Sequence, residues 1–249
     1  MRVFRLQVAY DGTAYHGWQV QPGLPTVQRE LMMALASVLG TACPTLHAAG
    51  RTDTGVHARG QVASFESDTP LPARALVPLL NRVLPGDVRA TDAREAAAEF
   101  HARHSARARR YSYRLARYPD VLVGRHAWWP RRALDPLGLA RSTQVLEGTH
   151  DCSSFRSAGS GPANQVCRIT RASWSRWEGG VQLDIIADHF LYHMVRNVVG
   201  TALAVAREPY PAGAMRAVLA ARDRAAGGPT APPQGLVLEQ VFYAEDVVT

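Results

Sequence analysis

The stretch that most restricts what this chain can become is Ala49-Gly50-Arg51-Thr52-Asp53-Thr54-Gly55-Val56-His57, set between two short strand-like runs near residues 45–49 and 61–66. A glycine on each side lets the backbone turn sharply and lets a ligand come close. One reading is a structural Asx-turn, with Arg51 as a surface charge. The other uses Arg51 and His57 as well. It is a carboxylate held at a strand-to-loop corner and kept ionised by a guanidinium, as a nucleophilic or basic aspartate requires.

Around that loop the pattern is one of strands joined by loops, hairpins and helices. Phe4, Leu6, Val8 and Tyr10 alternate as a half-buried strand that Asp11-Gly12-Thr13 ends. Thr26 reads as an N-cap, with Val27, Leu31, Leu35 and Val38 at helical spacing and Gly40 as the stop. Leu76–Leu84 reads as a second helix closed by Pro85-Gly86-Asp87, and residues 88–94 as a strand. The second half repeats the theme. A strand carries Tyr111, Tyr113 and Leu115, a helix spans 135–147, and strands at 166–176 and 181–187 meet at a Gly179-Gly180 turn. A long apolar stretch, His189–Ala206, precedes a helix at 211–222, a Pro/Gly-rich loop and a last strand at 236–243. This order predicts an α+β fold with antiparallel or mixed sheets rather than a doubly wound sheet. It also predicts two pseudosymmetric halves, 1–105 and 106–249, joined as one unit around a central cleft.

The charge is as informative as the pattern. All 28 basic residues are arginine, against 21 acidic ones, for a net charge of +7. Without lysine there is no Schiff-base chemistry and no Walker-type phosphate loop. The positive balance favours a polyanion, nucleic acid before membrane. Cys43, Cys152 and Cys167 form no Cys-x-x-Cys pair and read as reduced thiols, not as a disulfide framework or zinc site. The N-terminus enters a strand pattern directly, and no apolar run is long enough to span a bilayer, so a soluble, cytoplasmic protein is expected.

Two further segments carry chemistry. Between His101 and Pro119 stand Arg103, Arg107, Arg109, Arg110, Arg114 and Arg117, with no acid among them and with Tyr111 and Tyr113 interleaved. Arginines hold phosphates, and an aromatic face holds a base lifted from its stack. The plain alternative is a solvated strand whose tyrosines are core. On a strand Tyr111 and Tyr113 share one face, Ser112 and Arg114 the other. In Asp188–Asn197, His189 and His193 have the spacing of helical zinc ligands, but no third ligand is evident, and supporting histidines are the better reading. Arg196 lies in an apolar run and needs an anionic partner, for which Asp53 is the natural candidate, unless its head snorkels to water.

Taken together these motifs resemble the bacterial tRNA pseudouridine synthase A family over nearly the whole chain. Besides the Asp53 loop and Gly60-Gln61-Val62, the resemblance rests on Tyr10-Asp11-Gly12-Thr13, Tyr15, Gly17-Trp18-Gln19, Thr26-Val27-Gln28, Asn81, Leu84–Asp87 and Phe100–Arg103. It continues through Ala108–Tyr113, Phe155-Arg156, His193–Asn197, Gly235-Leu236 and Leu238. Thr54 stands where the family often has Ala, and Met32 where it often has Glu. The resemblance implies the pseudouridine synthase fold and an isomerase that converts uridine to pseudouridine at positions 38, 39 and 40 of the tRNA anticodon stem-loop. It implies a homodimer that uses no metal and no cofactor. It implies Asp53 as the catalytic carboxylate, Arg196 as its ion-pair partner and Arg51 as a residue that positions the loop. Tyr111 would stack on the base, with Arg103, Arg109, Arg110 and Leu236 also on the substrate. A non-catalytic RNA-binding protein leaves the Asp53 loop without purpose. A nucleoside hydrolase needs, as a rule, two carboxylates about the bond.

Overall fold

The computed structural model describes residues 1–42, 44–159 and 164–244. They form nine strands and five α-helices, the α+β mixture expected. The chain divides into two compact units. The first is Met1–Arg107 together with the chain from Val237 onward, and the second is Ala108–Leu236. The last strand thus groups with the first unit, although the sequence division after residue 105 assigns it to the second half.

In the first unit β1 (Arg2–Tyr10) runs antiparallel to β3 (His57–Ser67) on one side and to β4 (Val88–Ala96) on the other. The short β2 (His47–Ala48) pairs with β3, and β9 (Leu236–Phe242) joins the start of β3 in parallel. Register places Phe4 opposite Phe65, and their rings stack with centroids 5.2 Å apart. Helices α1 (Val27–Leu39) and α2 (Ala73–Val83) bury Leu31 and Leu35, and Leu76 and Leu80, at helical spacing. Burying each such leucine contributes roughly 1.5–3 kcal/mol. The exit and return of the chain are joined within this unit. Arg107 N–H donates to Phe242 O at 2.8 Å, and the Tyr243 hydroxyl to Ala102 O at 2.8 Å.

The second unit is an antiparallel sheet in the order β5 (Ala108–Ala116), β8 (Gly180–Ala187), β7 (Val166–Trp177), β6 (Gly148–Asp151). Helices α3 (Pro136–Gln144), α4 (Met194–Val205) and α5 (Pro211–Ala221) complete it. Asp135 caps α3, its carboxylate accepting from Gly138 N at 3.0 Å.

Several local expectations are corrected. The β7–β8 turn is Glu178-Gly179, since Trp177 already pairs with Gly180. Thr26 does stand at the N-cap of α1, but its side chain makes no capping bond. The carbonyls of Gly17 and Trp18 take the first helical N–H groups instead. Within the apolar run at 189–206, helix α4 begins only at Met194, behind a left-handed His193. His189 therefore lies off the helix, and the two histidines lack the geometry of a helical zinc pair. Cys152 and Cys167 are buried free thiols, and Cys43 lies outside the described residues. Among the described residues no helix is long and apolar enough to cross a membrane.

Asn81 shows how the edge of this fold is closed. Its Nδ2 donates to Ala90 O and its Oδ1 accepts from Ala90 N, both at 2.9 Å, imitating a strand partner for β4. Asn81→Ala leaves both buried backbone groups without these bonds and is expected to destabilise the protein by about 1–3 kcal/mol. Urea unfolding with an unchanged m-value checks this.

Candidate active site

The Asp53 loop is held by a second loop that follows β1. Thr52 is gripped twice: its carbonyl accepts from Trp18 N at 3.0 Å, and its hydroxyl lies 2.8 Å from the Tyr10 hydroxyl. On the far side of Asp53, Gly55 N donates to Tyr15 O at 3.3 Å, and Val56 N donates to Asp53 O at 3.1 Å. Gln61 on β3 donates to Gly50 O at 2.8 Å. Asp53 is thus flanked on both sides by fixed backbone while its own side chain stays half-buried.

Two glycines make the close approach of these loops possible. A Cβ on Gly12 would lie 2.0 Å from Val56 O. One on Gly17, whose φ is +83°, would lie 2.6 Å from Thr52 O. The turn around Gly12 is fixed by His57, whose Nδ1 accepts from Gly12 N at 3.0 Å. His57 is 3% exposed, so its place in the nonapeptide is that of a buried support rather than a reacting group. Arg51, by contrast, is exposed.

Burial dominates the acid–base character of the support. It pushes the Tyr10 phenol up to about 12, although hydrogen bonds to Thr52 and Gln61 pull the other way. The Tyr15 phenol is raised too, first by burial and then by donating to Asp87 Oδ1 at 2.7 Å. In the sequence Tyr10 closes an alternating strand, and Tyr15 and Gln61 stand only in the segments that carry the resemblance. The structure gives them work as struts of the loop. The available signal was a glutamine opening the run Gln61–Phe65, beside Val62 and Ala63, and a tyrosine closing a strand.

In the second unit β5 presents Tyr111 half-buried, its ring in a T-shaped contact with Phe190 at 4.9 Å and 80°. Tyr113, on the same face, is fully buried and donates to Pro232 O at 2.7 Å, so it is core. The two arginines that precede Tyr111 are both engaged. Arg109 donates to Asp188 O at 2.9 Å, and Arg110 pairs with Asp184 at 2.6 Å. The run 101–119 has no acid of its own, but β8 supplies one. Arg103 is exposed, and Leu236 is buried at the start of β9. Arg196, in the first turn of α4, is half-buried and oriented by a bond from its Nε to Ala231 O at 2.7 Å.

Neither departure from the family pattern supplies a side chain to the contacts just given, although Thr54 directly follows Asp53. Thr54 is exposed. Met32 lines an apolar cavity of about 380 Å³ with Val20, Pro22, Met33 and Ala36.

Raised tyrosine values set the alkaline limit of this support. A phenol that ionises near 10 when unfolded and near 12 when folded adds stability that is complete below pH 10 and disappears as pH rises towards 12. For Tyr10 this amounts to roughly 2–3 kcal/mol. Denaturant midpoints followed from pH 8 to 11.5 are expected to fall steeply above pH 10 for the wild type and less steeply for Tyr10→Phe.

Comparison with known proteins accords with this geometry. The family model described as tRNA pseudouridine synthase matches residues 7–105 and 143–244. A tRNA pseudouridine synthase A of Moorella thermoacetica is 44% identical over 247 residues, covering 98% of this chain and all of that protein. Those of Chromobacterium violaceum and Myxococcus xanthus are 41% and 42% identical over 244 residues, covering 97% of this chain and 93% and 92% of theirs. The chain therefore belongs to the tRNA pseudouridine synthase family, whose members are isomerases.

Proposed function

We propose that this chain isomerises uridine to pseudouridine at positions 38, 39 and 40 of the tRNA anticodon stem-loop, with Asp53 as the catalytic carboxylate. The observation that carries this is the loop itself. Hydrogen bonds from two directions fix the backbone beside one half-buried carboxylate, in a chain of a tRNA pseudouridine synthase family. The reaction breaks the bond from N1 of uracil to the ribose, turns the ring and joins C5 to the sugar. N1 gains a proton and C5 loses one. Nothing is oxidised and no group is lost, so the reaction balances without a redox cofactor or a co-substrate.

The glycosidic bond is inert at neutral pH, and breaking it needs covalent or strong electrostatic help. A fixed carboxylate supplies either, by attack on the sugar or the ring or by taking the C5 proton. Arg196 is assigned as its ion-pair partner, and Arg51 positions the loop. The uridine must leave its stack, which costs a few kcal/mol. Tyr111, backed by Phe190, offsets roughly 1–3 kcal/mol of that by stacking. Arg103, Arg109 and Arg110 serve the phosphates, and Leu236 lines the base site. A homodimer acting in the cytoplasm, with RNA across both subunits, completes the reading.

Asp53→Asn is expected to lower turnover by more than roughly 10³-fold while tRNA retention on filters stays near wild type. A parallel loss of binding would remove the catalytic role, and release of free uracil would show a hydrolase. Wild-type affinity is expected to fall with salt, with a log–log slope of roughly 0.7–0.9 per neutralised phosphate.

A further inference from the structure

The family activity leaves one built feature without a role: the segment between Phe190 and α4. His193 adopts φ 60° and ψ 8°, a left-handed conformation that is uncommon for a residue with a side chain. It is held there from several sides. Ser157 N donates to Tyr192 O at 3.1 Å, and the Ser157 hydroxyl lies 3.2 Å from His193 Nδ1. Asn197 N donates to His193 O at 2.9 Å. The Asn197 amide donates to the Ser157 hydroxyl at 3.1 Å and to Phe155 O at 2.8 Å.

The product of this arrangement is a stack. The Tyr192 ring lies on the His193 imidazole with centroids 3.9 Å apart and planes 26° from parallel, while Tyr192 remains 40% exposed. A core tyrosine would be buried, and an idle surface tyrosine would not be pinned to a ring in a strained turn. Two residues earlier, Phe190 backs Tyr111. Arginines stand close along the chain: Arg156 directly precedes Ser157, and Arg109 is anchored on Asp188 O, four residues before Tyr192.

Everting one nucleotide onto Tyr111 strips a stacking partner from the nucleotides beside it. We propose that Tyr192, braced by His193, is a second platform, which takes the nucleobase adjacent to the everted uridine. Any base has a π-face, so the platform tolerates sequence while stabilising the opened strand. This rests on the tRNA pseudouridine synthase reading and adds a substrate contact to it.

The test uses the full chain with a tRNA transcript carrying one target uridine, and with two versions in which the nucleotide on one side or the other is an abasic ribose. On the intact transcript Tyr192→Ala is expected to lower kcat/KM roughly 10-fold, and Tyr192→Phe to stay near wild type, with melting temperatures unchanged. On one of the two abasic transcripts, wild type and Tyr192→Ala are expected to become equal, because the base that used the ring is gone. No loss on the intact transcript overturns the proposal. So does an equal loss on all three transcripts, which would mark a structural role. Failure of the wild type to form pseudouridine on the intact transcript would overturn the parent activity, and the platform with it.

Discussion

The grip of the Tyr10–Trp18 loop on the Asp53 loop is the constraint on which the rest of the first unit's chemistry depends. Neither loop has regular structure long enough to hold itself. Their carbonyls and N–H groups find each other instead, Trp18 to Thr52 and Gly55 to Tyr15, as buried backbone groups must. Glycines at 12 and 17 allow that contact, because a single Cβ at either would push the chains apart. The grip also explains why polar side chains are buried beneath the Asp53 loop. Tyr10, Thr52 and Gln61 satisfy one another there, and a satisfied network of this kind specifies one geometry where apolar packing would allow several.

Much of the fold was legible in the sequence because most elements have one wet and one dry face. β1, α1, α2 and β4 all announce themselves by period. β3 does not, and its first residues escaped. His57–Ser67 is buried on nearly every residue, so there is no alternation to read, and His57, Arg59 and Gly60 look like loop. The start of α4 was hidden for the opposite reason. The turn before it is as apolar and aromatic as the helix, and its stop signal is a left-handed histidine rather than a glycine. The pairing of β9 with β3 joins residues about 180 apart and follows from no local pattern.

The candidate site divides in the same way. Asp53 could be singled out because glycines, hydroxyls and an arginine crowd one short stretch. Its supports could not, because Tyr10 and Gln61 reach it only through the pairing of β1 with β3. The basic run at 101–119 misled in one respect. Counting charges along the chain finds no acid, whereas the sheet brings Asp184 to Arg110 from the neighbouring strand. Linear charge density overstates the free positive field wherever a strand is paired.

That same pairing changes what the arginines beside Tyr111 do. An arginine bound to a buried carboxylate contributes less long-range attraction for RNA than a solvated one, and a paired charge of this kind is weak evidence for stability. Its value lies in position. Arg109 reaches Asp188 O and Arg110 reaches Asp184, so β5 is tied to β8 just ahead of Tyr111 by side chains as well as by the ladder. Phe190, reached from the end of the same β8, closes one edge of the ring. On the proposed reading, a ring held this way needs little ordering when a base arrives, and such ordering is one of the costs of association. Arginine suits the task better than lysine, since its planar fork holds two bonds to one carboxylate, here from Nε and Nη2 of Arg110 to Asp184 Oδ1 at 3.0 and 2.6 Å. On the proposed reading, Arg109 and Arg110 therefore serve rigidity around Tyr111 as directly as the net positive charge serves attraction for RNA.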